Sequence, residues 1–387
     1  MKRLLITTGI FAPDIGGPAS YARTLGERLA SSGFEVTVLT YSSVLRHQDD
    51  ASLPFTVRRV WTKNLWGFRH LLYLWQAIGL ARHADAVLSL SAVSGGLPSL
   101  WAAKLAKKPL VVRVVGDYAW EMAMQTGTTF LLIDEFQKAP AGGRIGRLRK
   151  FQRRICKEAA AVIVPSRYLA ALVAGWGIPE DRIHVIANGV EASRVVLAKE
   201  EARKRIGISG NIILSAGRLV PWKGFLMLIK LMPQLLQTNQ FFRLVIMGDG
   251  PDMKMLQTVV RNLGLERKVF LVGRKNASEA ALYLAAADVF VLNTAYEGFS
   301  HQVVEAMAAG VPVVTTAVGG NREIVTQGED GLLVRYNDEF NLAEAIKTIQ
   351  KQPELRERLI AEGRKTAQRF SAERMYQETE RLLSEIV

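Results

Sequence analysis

Short apolar runs, each followed by a helical pattern or a turn signal, recur along this chain, and this order is the grammar of a parallel sheet covered by helices on both faces. Leu4–Thr8, Val36–Leu39, Thr56–Val60, Ala86–Leu90, Leu110–Val115 and Ala161–Val164 form a first series of strands, with a helix expected over Pro18–Ser31. A second series runs through Ile212–Ser215, Arg243–Met247, Val269–Val272, Val289–Leu292 and Val313–Thr315. The turn at Asn188-Gly189 separates them, and 387 residues are too many for one ordinary core. Two doubly wound α/β domains follow, over residues 1–190 and 191–371, joined by a short linker near Val190–Lys199.

The last segment, residues 372–387, carries Met375, Tyr376, Leu382, Leu383 and Ile386 among charges, so it is expected to form a helix that bridges back to the first domain. Tyr118–Gly143 shows no clear period and ends in Pro140-Ala141-Gly142-Gly143, which reads as a long loop.

Composition narrows the classes. The single cysteine, Cys156, excludes an internal disulfide framework and a cysteine-rich metal site. Arg69, His70 and Arg82 interrupt the most lipophilic stretch, Leu65–Ala81, so no membrane-spanning helix is expected. The N-terminal Met1-Lys2-Arg3 and following apolar residues imitate a signal peptide but fit a first buried strand ending before Pro13. Together these features imply a cytoplasmic location. The net charge of +14 is uneven: residues 1–190 hold 24 basic and 13 acidic side chains, residues 191–387 hold 26 and 23. The first half is therefore suited to an anionic partner, whether nucleic acid, membrane or phosphorylated substrate.

The chemistry is concentrated in two segments of the second half. Glu297-Gly298-Phe299-Ser300-His301-Gln302-Val303-Val304-Glu305 places two carboxylates across the start of a helix. Glu297 falls on the loop after a strand, at the edge where open α/β sheets bind ligands, and Ser300 is suited to cap the helix, whose first amides favour an anion. Gly217-Arg218-Leu219-Val220-Pro221-Trp222-Lys223-Gly224 follows another strand and offers two cations, as a departing diphosphate requires.

With Gly16-Gly17, Pro165-Ser166, Asn188-Gly189-Val190, Gly248-Asp249-Gly250-Pro251 and Gly319-Gly320 with Glu323, these segments make the chain resemble, nearly end to end, the retaining nucleotide-sugar glycosyltransferases of family 4. That resemblance implies a GT-B fold, two Rossmann-like domains facing a central cleft, with acceptor held mainly by the first and donor by the second. It implies Arg218 and Lys223 as diphosphate ligands, Glu297 on sugar hydroxyls and Glu305 on ribose hydroxyls. The Phe299 and Ser300 amides would meet sugar and phosphate, with His301 beside them, and the turn at Gly273-Arg274 would meet the nucleobase. Gly16 and Gly17 would let backbone approach the donor, as would Gly217 in the second domain. The family's histidine after the fifth strand is replaced by Gly116, which leaves Asp117 as the candidate near the reacting carbon. The same resemblance implies a UDP- or GDP-linked sugar as co-substrate, no bound cofactor, retention at the anomeric carbon and no metal.

Arg144–Lys157 holds seven basic residues and no acidic one, with Leu148, Phe151 and Ile155 on one helical face. Arg144, Arg147, Arg149, Lys150, Arg153 and Arg154 are therefore candidates for contact with an acceptor or an anionic membrane. Six of seven tryptophans, Trp61, Trp66, Trp75, Trp101, Trp120 and Trp176, also lie in the first half, which favours a lipid-linked or glycan acceptor in bacterial surface polysaccharide assembly and a peripheral site on the inner membrane face. A nucleic-acid-binding protein, a GT-B protein without transfer activity and a phosphorylase on the same fold are the alternatives. The first lacks a helix-turn-helix, zinc-ligand or ribonucleoprotein motif, and the last lacks a recognisable pyridoxal lysine.

Overall fold

A computed structural model describes residues 2–14, 16–63, 66–93, 95–191 and 197–387. The expected linker falls partly on residues 192–196, outside the described residues. The chain divides into two compact units, one of residues 1–123, 133–187 and 374–387, the other of residues 124–132 and 188–373.

The first unit is built on strands β1 (Arg3–Thr8), β2 (Glu35–Ser42), β3 (Thr56–Trp61), β4 (Ala86–Ser89), β5 (Leu110–Arg113), β6 (Ala161–Val164) and β7 (Ile183–Val185). They form one parallel sheet in the order β3-β2-β1-β4-β5-β6-β7. Its helices are α1 (Gly17–Ser31), α2 (Trp66–His83), α3 (Gly96–Ala106), α4 (Tyr118–Gln125), α5 (Ile133–Lys138), α6 (Gly143–Glu158) and α7 (Arg167–Ala174). Leu4, Leu5, Ile6, Val87, Leu88, Val111, Val112, Val162 and Ile163 are buried on consecutive positions, because helices cover both faces of the sheet. This is why the strands read as unbroken apolar runs and not as alternation.

The second unit repeats the plan. Strands β8 (Asn211–Ala216), β9 (Phe242–Met247), β10 (Val269–Gly273), β11 (Val289–Leu292), β12 (Val313–Thr316) and β13 (Leu332–Val334) form a parallel sheet ordered β10-β9-β8-β11-β12-β13. Its covering helices are α8 (Lys199–Ile206), α9 (Phe225–Thr238), α10 (Met253–Asn262), α11 (Ala277–Ala286), α12 (His301–Ala308), α13 (Asn321–Ile324), α14 (Glu339–Lys351) and α15 (Pro353–Gln368). The order reverses between β8 and β11, and at such a switch point the crevice at the strands' carboxyl ends opens.

Helix α16 (Ala372–Ile386) ends the chain and packs on the first unit. Tyr376 stacks on Tyr21 with ring centroids 5.6 Å apart, Thr379 shares a 3.2 Å hydrogen bond with the Tyr21 hydroxyl, and Lys2 Nζ donates to the Ser384 carbonyl at 2.8 Å. Leu382 and Leu383 are buried. The apolar stripe of this segment thus has the cover it needs.

Two sequence expectations require correction. Residues 118–143 are not one long loop, since α4 and α5 lie within them; Ala119, Trp120 and Ala123 bury one face of α4, and Ile133 and Phe136 one face of α5. Each helix is too short for its apolar spacing to stand out. The three-residue edge strands β7 and β13 are additions; His184 interrupts the first, and the apolar run of the second is only three residues long. Leu383→Ala is expected to destabilise the first unit by about 2–5 kcal/mol, the cost of a cavity at a fully buried leucine, measurable by urea unfolding.

Candidate functional site

In the second unit the loops that leave β8, β9, β10, β11 and β12 meet at the carboxyl edge of the sheet. Backbone bonds tie three of them in series: the Gly217 N–H donates to Met247 O at 3.0 Å and the Gly248 N–H to Gly273 O at 2.9 Å. Leu219 N–H donates to Asp249 O at 3.0 Å, and Asp252 N–H returns to Leu219 O at 3.1 Å. Gly248 has a φ of 140°, and a β-carbon there would collide with the Gly217 carbonyl. Gly248 and Gly250 therefore serve the packing of one loop on another.

The loop after β11 is held from the other side. Thr294 Oγ1 donates to Trp222 O at 3.2 Å, and the Ala295 N–H donates to the same carbonyl at 2.8 Å, joining the Lys223 segment to the Glu297 segment. Thr316 Oγ1 donates to Thr294 O at 2.6 Å and accepts from the Thr294 N–H at 3.2 Å. Asn293 Nδ2 reaches Asn337 Oδ1 at 3.0 Å, and Asn321 Nδ2 reaches Thr315 Oγ1 at 3.0 Å. Asn293, Thr294, Thr315, Thr316 and Asn321 are all fully buried. Sequence reasoning passed over these supporting residues; the available signal was Asn293-Thr294, a polar pair directly after the apolar strand β11.

Gly319 and Gly320 lie against the carbonyls of Glu297 and Gly298, and the Gly320 N–H donates to Glu297 O at 2.9 Å. No side chain fits between these backbones, which accounts for the glycine pair.

This frame brings the chemical side chains together. Lys223 Nζ is ion-paired with Glu297 Oε1, with both side chains nearly buried. Arg218 stands exposed on the same segment, with no hydrogen-bond or ion-pair partner among the described residues. Ser300 caps α12, its hydroxyl accepting from the Val303 N–H at 3.3 Å, so the helix N terminus opens beside Glu297. Phe299 is buried, edge-on to Phe370 at 5.1 Å, which holds the backbone before the cap. His301 is the first residue of α12.

Glu305 lies one turn further along the same helix. Its side chain is open to solvent on one side while protein surrounds it elsewhere, and that desolvation raises its carboxyl from 4.5 to about 7. Gly273 closes β10 with a φ of 70°, and Arg274 is exposed beyond it, at the far end of the same row of loops. Among the described residues no three His, Cys, Asp or Glu side chains form a group able to hold a metal ion.

In the first unit Gly16 precedes α1 in an extended conformation and Gly17 begins it; a β-carbon on Gly17 would meet nothing within 4 Å. The backbone there lies open. Asp117 is different. It is fully buried, with Oδ1 accepting from the Trp120 N–H at 3.0 Å and Gln152 Nε2 at 2.7 Å, and Oδ2 accepting from Gln137 Nε2 at 2.7 Å. It caps α4 and ties it to α5 and α6. This geometry gives Asp117 a structural role as the strut that holds α4, α5 and α6 together.

The basic helix α6 divides its cations between the interior and the solvent. Arg149 is buried over the Phe136 ring, with its guanidinium donating to Ala139 O and Phe136 O at 2.7 Å each. Arg153 is half-buried and donates to Gln137 Oε1 at 3.4 Å. Ile155 is buried, so only Phe151 remains as an exposed large apolar residue on a helix whose Arg144, Arg147, Lys150 and Arg154 face solvent. Of the three apolar residues on the expected face, Ile155 is buried, Leu148 half-buried and Phe151 exposed. Burial pushes the neighbouring Cys156 thiol up to about 12, which leaves it protonated at neutral pH. Trp120 and Trp176 are core residues, whereas Trp61, Trp75 and Trp101 are exposed; the side chain of Trp66 lies outside the described residues.

Two parallel Rossmann-like units with this loop frame define an α/β protein of the GT-B class. Family models agree on both parts: residues 16–189 match the glycosyl transferase 4-like domain and residues 198–366 match glycosyl transferases group 1. The chain belongs to the group 1, family 4-like glycosyltransferases. It is 33% identical over 204 residues to the lipopolysaccharide core biosynthesis glycosyltransferase LpsD of Rhizobium meliloti, covering 52% of this chain and 57% of that one. It is 28% identical to N-acetylgalactosamine-N,N'-diacetylbacillosaminyl-diphospho-undecaprenol 4-alpha-N-acetylgalactosaminyltransferase of Campylobacter jejuni, over 58% and 60% of the two chains. The chain thus spans a little over half the length of these curated relatives. Among solved structures, Anabaena HepE in complex with UDP superposes with a TM-score of 0.78 at 21% identity, covering both chains completely. Sucrose-phosphate synthase from Thermosynechococcus elongatus does so with 0.79 at 21%, over 100% of this chain and 99% of that one.

Asp117→Ala strands a buried and a half-buried glutamine amide and a helix cap, and is expected to cost about 3 kcal/mol in chemical denaturation. Unchanged stability with abolished transfer would assign Asp117 to catalysis and not to the frame.

Proposed function

We propose that this chain transfers a sugar from a nucleoside-diphosphate sugar to an acceptor hydroxyl, with retention at the anomeric carbon and without a metal ion. The observation that carries this reading is the paired Lys223 and Glu297 at the strand ends, beside the exposed Arg218 and the N terminus of α12. The pair leaves a lysine and a carboxylate in place without stranding either charge. A diphosphate arriving at Arg218 and Lys223 competes for the lysine and frees Glu297 to accept from sugar hydroxyls. Glu305 then meets the ribose hydroxyls, and Gly273-Arg274 meets the base.

In this mechanism the acceptor oxygen attacks the anomeric carbon from the face that the diphosphate leaves. The bond from that carbon to the phosphate oxygen breaks, the acceptor proton passes to a phosphate oxygen, and Arg218, Lys223 and the helix dipole stabilise the charge that develops. Support for a uridine nucleotide comes from HepE, solved with UDP and with UDP-glucose. Support for a lipid-linked or glycan acceptor in surface polysaccharide assembly comes from the names of the Campylobacter and Rhizobium relatives. No helix among the described residues is long and apolar enough to cross a membrane.

Lys223→Ala is expected to lower kcat by about a hundredfold or more with a UDP-sugar donor, the usual effect of removing one charge-stabilising donor. Unaltered kcat would remove the lysine from the mechanism. Full activity after exhaustive chelation is the expected result for metal independence, and activity restored only by a divalent ion would refute it. A protonated Glu305 loses its charge as an acceptor, so UDP affinity is expected to fall as pH drops through about 7, with Glu305→Gln flattening that dependence in calorimetric titrations.

A further inference from the structure

The first unit carries a feature of its own. An open groove of about 1,050 Å³ runs along the outer edge of the sheet, between β3, α2, the end of α3 and the segment after β2. This is at the upper end of the size of small-molecule sites, about 300–1,000 Å³. Its apolar surface comes from Leu45, Trp75, Ile78 and Leu105, and three of these are strongly exposed: Trp75 at 73%, Leu45 at 62% and Leu105 at 61%.

Four arginines line the same groove. Arg59 is committed, donating to both oxygens of Asp50 at 2.6 and 2.8 Å and to Ser42 Oγ at 3.1 Å. Arg46, Arg58 and Arg82 are exposed, and none has a hydrogen-bond or ion-pair partner among the described residues. Asp50, the one acidic side chain in the lining, is already neutralised by Arg59. The groove therefore presents uncompensated positive charge next to uncovered hydrocarbon. The apolar surface continues beyond it, because Phe68 and Leu71 share the outer face of α2 with Trp75 and are 59% and 65% exposed.

A free phosphate would use the arginines and leave this apolar surface in water. Nucleic acid would use the cations and one aromatic ring but has no use for Leu45, Leu71 and Leu105. An amphiphile with an anionic head uses both at once. We infer that this groove seats an anionic phospholipid of a bilayer leaflet, with its phosphate among Arg46, Arg58 and Arg82 and its hydrocarbon along Trp75, Leu71 and Phe68. This places lipid contact on α2 and β3 and not on α6, and it holds whether or not the donor reading stands.

The test uses the full chain with two probes at physiological salt: monomeric dihexanoyl-phosphatidylglycerol in titration, and vesicles of phosphatidylcholine with and without phosphatidylglycerol in flotation. Saturable binding of the short-chain lipid, and flotation only with the anionic vesicles, is expected. Trp75→Ser and the double variant Arg58→Glu, Arg82→Glu are each expected to weaken short-chain lipid binding by about tenfold or more, with unchanged melting temperature. Arg144→Glu, Arg147→Glu, Lys150→Glu on α6 is expected to bind that lipid like the wild type. The proposal is overturned if inorganic phosphate or single-stranded RNA displaces the lipid equally well, if neutral vesicles float the protein as readily, or if only the α6 variant loses binding.

Discussion

Close approach of backbone to backbone is the constraint on which the second unit depends. Five loops leave the sheet at one edge, and they nest because Gly248 lies against the Gly217 carbonyl and Gly319-Gly320 against Glu297 and Gly298. The resulting N–H to carbonyl bonds satisfy polar backbone that would otherwise be buried without partners. Rigid nesting fixes where Arg218, Lys223 and Glu297 stand relative to one another. Polar side chains under the loops, led by Asn293, Thr294 and Thr316, complete the frame from below. Preorganisation of this kind lets charged groups act without first reorganising.

The first unit shows how the same residue types are spent differently. Asp117 and Arg149 look, in a linear reading, like groups available for ligands. In the structure both are consumed by the interior: the carboxylate satisfies a helix cap and two glutamine amides, and the guanidinium satisfies two carbonyls above an aromatic ring. A buried charge must be matched in this way, since desolvation is costly without hydrogen bonds. The excess positive charge of the first half is thus divided between internal struts, a solvated face of α6 and the arginine-lined groove.

Much of the architecture was legible because it rests on local rules. Parallel strands buried on both faces must be apolar throughout, so β6 and β11 fall on the very residues expected and most other strands within one or two residues. The cap at Ser300 was likewise readable from residue type and position. The short helices α4 and α5 and the edge strands β7 and β13 were not, since each is stabilised by neighbours distant in sequence and has no pattern long enough to be recognised alone.

From the amino-acid order alone came two doubly wound domains, the family resemblance and the set of strand-end residues from Gly217 to Glu305, because strand burial and loop position are fixed by patterns within a few residues. Only the tertiary structure decided which charged groups meet each other and which are buried. It paired Lys223 with Glu297 across 74 positions, enclosed Asp117 between glutamines 20 and 35 positions away, and left Arg46, Arg58 and Arg82 unpaired around exposed apolar side chains. Solvation and pairing of a charge depend on what the fold brings within a few ångströms of it, and that information has no local trace in the sequence.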